Sequence, residues 1–156
     1  MNETETAEFI SISNRLFVET SRFTKGLGLR VDSMKTDRAS MKFTNRDDLT
    51  GSERTRNLHG GVIASVMDIT GSLVVFSNLV HRMKTGSLQQ RIERVTRINT
   101  IDLRIDYIRP GDGSTFTATG HILRTGRTVA VSRIELFNET DRLLAVGTGS
   151  YIISVK

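Results

Sequence analysis

The chain has no cysteine, no tryptophan and a single proline in 156 residues. Without cysteine it can form no disulfide, no thiolate metal site and no cysteine nucleophile. Its first residues are polar and acidic, so the sequence predicts no signal peptide. No segment has the uninterrupted run of about 18 apolar residues that spans a bilayer. We therefore expect a soluble cytoplasmic protein of one domain, without membrane insertion and long enough to bury a core.

Positive charge is in modest excess, and most of it is arginine. Lys and Arg number 22 against 17 Asp and Glu, which gives a net charge of +5 and a sequence pI of about 10.1. Arginine binds phosphate through two parallel hydrogen bonds, so a nucleic acid, a phosphorylated small ligand or a merely solvated surface would each fit. The cations are scattered, and RNP-like and zinc-finger patterns are absent. This argues against nucleic acid as a partner.

The common signatures of other enzyme classes are also missing. The chain contains no G-x-S-x-G elbow, no GxGxxG and no P-loop. Ser65 and Ser72 have no neighbouring histidine base in the sequence. No spacing links His81 and His121 to the third histidine as metal ligands, so we interpret both as structural or surface residues. We expect no metal and no resident cofactor.

Hydrophobic periodicity predicts an α+β domain over residues 1–156. The N-terminal segment, 1–25, is expected to be helical, with an amphipathic helix at 7–19 that ends at Gly26 and Gly28. A nearly all-apolar helix is predicted at 59–80. Strands are expected at 27–31, 39–43, 101–108, 114–124, 128–137 and 142–155, the last four as an antiparallel meander. Residues 45–58 are expected to form a loop, and residues 81–97 a loop or a short surface helix. One buried helix against so many strands indicates a sheet wrapped around it.

The start of the central helix carries the first chemical signal. His59-Gly60-Gly61 opens the apolar segment, and the first N–H groups of a helix have no intrahelical partner. Glycine lets a ligand oxygen approach these groups closely, so the helix start could polarise a carbonyl and stabilise an oxyanion. The alternative is that the glycines only pack the helix against a neighbour.

Asp68 is the second signal, because it is a lone carboxylate in an apolar helix. Helical spacing places it on a stripe of small residues with Gly61, Ala64, Ser65, Gly71 and Ser72. A buried charge must be paired, solvated or neutralised. It could form a salt bridge with one of the many arginines, or it could serve as a general base or nucleophile toward a bound substrate.

The spacing of the two signals predicts an oligomer. His59 and Asp68 are nine residues apart, about 13 Å of helical rise and half a turn of rotation. One chain cannot easily bring both to one reacting centre. The sequence therefore suggests a homodimer with two composite sites, each combining the glycine N–H of one chain with Asp68 of the other.

The His-Gly-Gly motif followed by this aspartate, within the predicted order of elements, resembles the hotdog-fold acyl-CoA thioesterases of the phenylacetate (PaaI) type. Three further stretches are similar to the YigI-type medium/long-chain branch: TIDLRIDYIRPG at 100–111, LRTGR at 123–127 and VAVSRIEL at 129–136. The resemblance covers nearly the whole chain. It implies a hotdog fold, a homodimer or a dimer of dimers (a homotetramer), and hydrolysis of acyl-CoA in which coenzyme A belongs to the substrate.

The resemblance also implies roles for individual residues. Asp68 would activate water or attack the thioester carbonyl, the Gly60 N–H would polarise that carbonyl, and His59 would shape the same site. Thr100 falls where related enzymes often place a Ser or Thr near the catalytic water, although an ordinary strand threonine is an equal alternative. Residues expected along the path of the substrate are Gly61, Arg109, Pro110, Arg124, Gly126 and Arg127.

One position departs from the family pattern. Members commonly have an asparagine seven residues before the histidine, where this chain has Ser52 after Gly51. The asparagine helps to position water or substrate, and Ser52 is the candidate catalytic residue for this role here. Serine can still hydrogen-bond, but it reaches less far, so an acyl-CoA-binding protein without catalysis is the alternative function. A hotdog hydratase is a further alternative, but its histidine and carboxylate would lie in a different motif.

Overall fold

The computed structural model describes residues 1–156 as six strands, four α-helices and two short helical turns of other types. The helices are α1 (Glu3–Asn14), α2 (Arg22–Gly26), α3 (Gly60–Arg82) and α4 (Leu88–Arg94). A π-helical turn, Arg15–Glu19, continues α1, and a 3-10 turn covers Asp47–Leu49. The strands are β1 (Arg30–Met34), β2 (Arg38–Thr44), β3 (Val95–Tyr107), β4 (Thr115–Thr125), β5 (Val129–Asn138) and β6 (Leu143–Val155).

A single antiparallel sheet wraps around α3. Its strand order is β1-β2-β4-β5-β6-β3, and α3 packs against β2 to β6. The core lies between this helix and the sheet, where alternate strand residues meet the apolar helix. Among the fully buried side chains are Met41, Val66, Met67, Leu73, Val74, Phe116, Ile134 and Leu144. The α+β class and the hotdog arrangement expected from the sequence are confirmed.

The N-terminal segment differs from the prediction at both ends. The helix begins at Glu3 rather than at residue 7, because the Asn2 side chain accepts the Glu5 N–H and caps it. The glycines do not end this helix. Instead, Ser21 starts the separate helix α2, and the first strand begins three residues later than predicted, at Arg30.

The prediction that the last four strands form a meander is wrong. Strands β4, β5 and β6 do follow one another, but β3 pairs with β6, and β4 pairs with β2 on its other side. Both β3 and β6 are 13 residues long, and they pair from Val95–Val155 to Tyr107–Ala145. Alternation assigns a residue to a face of the sheet but does not choose the neighbouring strand, so β3 was misplaced. It is an edge strand, and Ile101, which lies at its bulge, is 57% exposed.

The bounds of the central helix were predicted almost to the residue, but we did not recognise from the sequence that this helix is long and apolar enough to cross a membrane. By length and composition α3 is apolar enough to cross a bilayer, contrary to our expectation, although 67% of its most apolar window is buried in the fold. This burial is typical of the core helix of a globular domain.

The two histidines outside the His-Gly-Gly motif are both half-buried. His81 lies near the end of α3, where its Nδ1 is 2.8 Å from the Ser77 carbonyl oxygen, and His121 lies on β4.

Candidate active site

The start of α3 leaves one backbone donor free. His59 is the N-cap, and its Nδ1 accepts the Gly61 N–H at 2.9 Å. The N–H groups of Val62 and Ile63 donate to the His59 carbonyl at 2.9 and 3.2 Å. The Gly60 N–H has no acceptor in the chain. Because Nδ1 is an acceptor, a neutral His59 ring carries its proton on Nε2.

A groove open to solvent lies beside this donor. It holds about 460 Å³, and its lining includes Gly60, Tyr107, Arg109 and Pro110. The Tyr107 hydroxyl donates to the Gly60 carbonyl at 3.1 Å, and the Arg109 Nη1 donates to the Leu143 carbonyl at 2.8 Å. The structure therefore places two of the predicted substrate residues, Arg109 and Pro110, next to the helix start.

The residue after Pro110 fixes the position of the helix start. The Leu58 N–H donates to the Gly111 carbonyl at 2.9 Å, just before the N-cap. A Cβ atom at Gly111 would lie 2.9 Å from the Leu58 Cβ, so only glycine permits this approach. The connection between β3 and β4 is thereby attached to the segment that carries His59 and Gly60.

Asp68 lies on α3 with its carboxylate held by the sheet. The Thr100 hydroxyl, from β3, donates to Asp68 Oδ1 at 2.8 Å. Asp68 is half-buried and takes part in none of the ion pairs of the structure, so the arginine salt bridge considered for it is not formed within the chain. A carboxylate that is oriented but not neutralised is free to accept a proton from a bound molecule.

The helix face around Asp68 is open. Gly61 is exposed and Ser65 and Ser72 are half-buried, whereas Gly71 of the predicted stripe is buried. The two serine hydroxyls donate back to the carbonyls of Gly61 and Asp68, at 2.7 and 2.8 Å. These bonds occupy the hydroxyl protons within the helix and leave Asp68 as the reactive group of this face.

The free N–H and the carboxylate are well separated within one chain. Gly60 and Asp68 are eight residues apart on one continuous helix, which corresponds to about 12 Å of rise. A thioester carbonyl that accepts a hydrogen bond from the Gly60 N–H therefore lies beyond the reach of Asp68 of the same chain.

Comparison with known proteins identifies the family of this site. Residues 56–145, which include the start of α3, Asp68 and Thr100, match the Thioesterase superfamily. The chain belongs to this superfamily. It is 38% identical over 144 residues to proteins of Salmonella typhimurium and Escherichia coli named medium/long-chain acyl-CoA thioesterase YigI, covering 92% of this chain and 93% of theirs.

Solved structures of similar proteins have the same fold. A Shewanella oneidensis protein described as related to the thioesterase superfamily superposes with a TM-score of 0.84 at 35% identity, covering 99% of this chain and 100% of its own. The Escherichia coli PaaI protein of the phenylacetic acid degradation operon gives 0.75 at 20% identity, over 96% and 98% of the two chains, and shows the fold alone. The chain is thus a hotdog-fold thioesterase.

Three predicted substrate residues of this thioesterase lie away from the groove. Arg124, Gly126 and Arg127 are in or next to the turn between β4 and β5. That turn packs at the far end of α3, where the Thr125 hydroxyl donates to Asn78 Oδ1 at 2.8 Å. Asn78 is ten residues beyond Asp68, about 15 Å along the helix. A single chain does not bring these residues to Gly60.

The Ser52 side chain also makes no hydrogen bond to the other residues of the thioesterase site. It is exposed, and its hydroxyl accepts the Arg54 N–H at 3.3 Å within a loop turn. Two tyrosines beside the site were not predicted from the sequence to belong to it. The Tyr107 hydroxyl donates to the Gly60 carbonyl, and the Tyr151 hydroxyl donates to the Asp68 carbonyl at 3.3 Å. The YIRPG run next to Gly60 could have indicated Tyr107, but no local pattern distinguishes Tyr151 from any other buried strand residue.

Proposed function

We propose that this thioesterase hydrolyses acyl-CoA to a free acid and CoA, with Asp68 as general base or nucleophile and the Gly60 N–H as the group that polarises the thioester carbonyl. The observation that carries the proposal is the pairing, on one helix, of an unpartnered N–H with an oriented, unneutralised carboxylate. The Gly60 N–H can donate to a developing oxyanion, and the Asp68 carboxylate can remove a proton from water.

In the general-base route, the water oxygen adds to the carbonyl carbon while its proton passes to Asp68. The C–S bond then breaks, and the CoA sulfur leaves with the proton returned from Asp68. In the nucleophilic route, a carboxylate oxygen of Asp68 attacks the carbonyl carbon, the C–S bond breaks, and CoA leaves as the thiolate. Water then hydrolyses the resulting anhydride to the free acid and Asp68, and the proton released in this step goes to the CoA thiolate. In both routes negative charge builds on the carbonyl oxygen that faces the Gly60 N–H, and Thr100 keeps the carboxylate aimed.

Two copies of the chain would be needed for each site. The rise of about 12 Å between Gly60 and Asp68 separates them within one copy. The free edge of β3 offers a pairing surface, since it is 13 residues long and exposes Ile101 and Tyr107, which are 57% and 53% accessible. We infer a homodimer, alone or as a dimer of dimers, in which His59 and Gly60 of one copy face Asp68 and Thr100 of the other.

The acyl group is inferred from the relatives. The proteins that are 38% identical over 92% of this chain are named for medium and long acyl chains, and we propose the same class of substrate here. Arg109 lines the groove beside Gly60, and we propose that its guanidinium pairs with the CoA phosphates. Arg124 and Arg127 could reach those phosphates only from another copy of the chain.

The sequence left one alternative open, a protein that binds acyl-CoA without cleaving it, although the thioesterase relatives argue against it. This alternative is favoured by Ser52, which stands in place of the family's usual asparagine and uses its hydroxyl within its own loop. Such a protein would retain CoA thioesters without releasing the thiol. Measurement of free CoA separates the two candidates directly.

The test is release of CoA from a panel of short, medium, long and aryl acyl-CoAs. We expect activity to be highest with medium or long chains, and Asp68→Asn to lower kcat by about 10²–10⁴-fold. Asp37→Asn is the matched control, because it makes the same change in an exposed turn between β1 and β2. Absence of CoA release from every substrate, or unchanged turnover in Asp68→Asn, contradicts the proposal.

A further inference from the structure

Two cross-strand neighbours hold Asp68 at two different atoms. Thr100 of β3 and Tyr151 of β6 are direct partners in the sheet, so their side chains project from the same face, toward α3. The Thr100 hydroxyl donates to the carboxylate at 2.8 Å, while the Tyr151 hydroxyl donates to the backbone carbonyl at 3.3 Å. One strand pair thus contacts both the side chain and the main chain of the same residue.

The phenol of Tyr151 occupies a slot that only glycines leave open. The residue is 0% exposed. A Cβ atom at Gly71 on α3 would lie 1.9 Å from the phenol oxygen, and one at Gly149 on β6 would lie 2.3 Å from it. Any other residue at either position would displace the hydroxyl. Helix and strand therefore both lack a side chain where the phenol reaches Asp68.

The Tyr151 hydroxyl stays protonated and can therefore always donate a hydrogen bond. Burial raises the pKa of the Tyr151 hydroxyl far above its ordinary value, and the negative charge of Asp68 raises it further, while a hydrogen bond with Ser132 opposes them. The hydroxyl therefore remains protonated across the working pH range of an enzyme. It can donate to the Asp68 carbonyl throughout, independently of the state of the carboxylate.

We propose that Tyr151 is a positioning residue for Asp68: it fixes the height and rotation of this turn of α3 over β3, so that Thr100 can aim the carboxylate. This inference rests on the proposed catalytic role of Asp68. Tyr151 is buried beneath the helix and does not touch substrate, so it acts only through Asp68. A displacement of about 1 Å of a catalytic group can cost 10²-fold in rate, and small shifts of this turn therefore matter.

The test compares Tyr151→Phe with Ser132→Ala. Each removes one buried hydroxyl from the same network, since Ser132 is also 0% exposed and lies next to the phenol, but only the first removes a bond to Asp68. We expect Tyr151→Phe to lower kcat by about 3–10-fold with unchanged KM, which is the loss of one neutral hydrogen bond. Ser132→Ala should keep kcat within twofold. Melting temperatures set an assay temperature at which both variants are folded.

A double-mutant cycle decides whether the two donors act through one residue. If Thr100 and Tyr151 both position Asp68, the loss of rate in Thr100→Val with Tyr151→Phe should be clearly smaller than the product of the single losses. Equal effects of Tyr151→Phe and Ser132→Ala, or independent multiplication with Thr100→Val, would overturn the inference. If Asp68→Asn retains full turnover, the proposed function fails instead, whatever Tyr151→Phe does.

Discussion

Replacing Gly60 by proline would remove the proposed carbonyl-polarising donor with little disturbance of the fold. Gly60 is the first residue of α3, a position that accepts proline because its N–H lies outside the helical hydrogen-bond pattern. Here that N–H has no acceptor in the chain, so no protein hydrogen bond is lost. His59 has φ −61° and ψ 138°, which is the extended conformation required before proline.

The expected loss of activity follows from the chemistry of the oxyanion. Removal of one donor of this kind lowers kcat by about 10²–10³-fold, or about 2.7–4 kcal/mol. Stability should be unchanged or higher by up to about 1 kcal/mol, since proline restricts the unfolded chain. The variant should therefore melt at or above the temperature of the unaltered protein while hydrolysing acyl-CoA far more slowly.

Gly60→Ala is the matched control for Gly60→Pro. It keeps the N–H and adds a Cβ that would meet the Tyr107 ring at an ordinary 3.7 Å. CoA release at saturating acyl-CoA and thermal unfolding should be measured on both variants. A folded Gly60→Pro with kcat within threefold of Gly60→Ala would refute the role of this N–H.

Two further predictions concern Thr100 and His81. Thr100→Val removes the hydroxyl that donates to Asp68 and should lower kcat about tenfold. This is the lower end of the range expected for a hydrogen bond to a charged group, because the carboxylate is half-exposed. Thr100→Ser keeps the hydroxyl and should retain most of the rate. Equal losses in both variants would contradict the hydrogen bond. Burial lowers the pKa of His81 below its ordinary 6.5. As the pH falls, His81 therefore takes up a proton in the unfolded chain before it does so in the folded chain. The free energy of unfolding, measured with denaturant, should therefore fall as pH drops below about 6.5, and less so in His81→Gln; equal pH dependence in both would contradict this.

The central helix and the last three strands could be predicted because each is encoded by local periodicity. The apolar run after Gly60 and the alternation within 114–155 indicate their structures without knowledge of the partners. The position of β3 could not be predicted, because its pairing with β6 depends on contacts between segments far apart in sequence. The length match of the two 13-residue strands became visible only once β3 was found to begin at Val95.

The candidate site could likewise be predicted only in part from the sequence. His59, Gly60 and Asp68 belong to one helix, so their relative geometry follows from helical parameters alone. The contact between Thr100 and Asp68 depends on where β3 lies against α3, and a threonine on a strand gives no sign of it. Tyr151 was missed for the same reason, since its role comes from cross-strand pairing with Thr100.

The central claim is that each site combines Gly60 of one copy with Asp68 of another, and mixed dimers test it most directly. Gly60→Pro and Asp68→Asn chains carrying different affinity tags would be co-expressed, and dimers containing one of each would be purified by both tags in succession. Each such dimer would hold one doubly defective site and one intact site, so it should recover about half of the unaltered activity. If both groups acted within one chain, every site would carry one defect, and the mixed dimer would be no more active than the two parent variants.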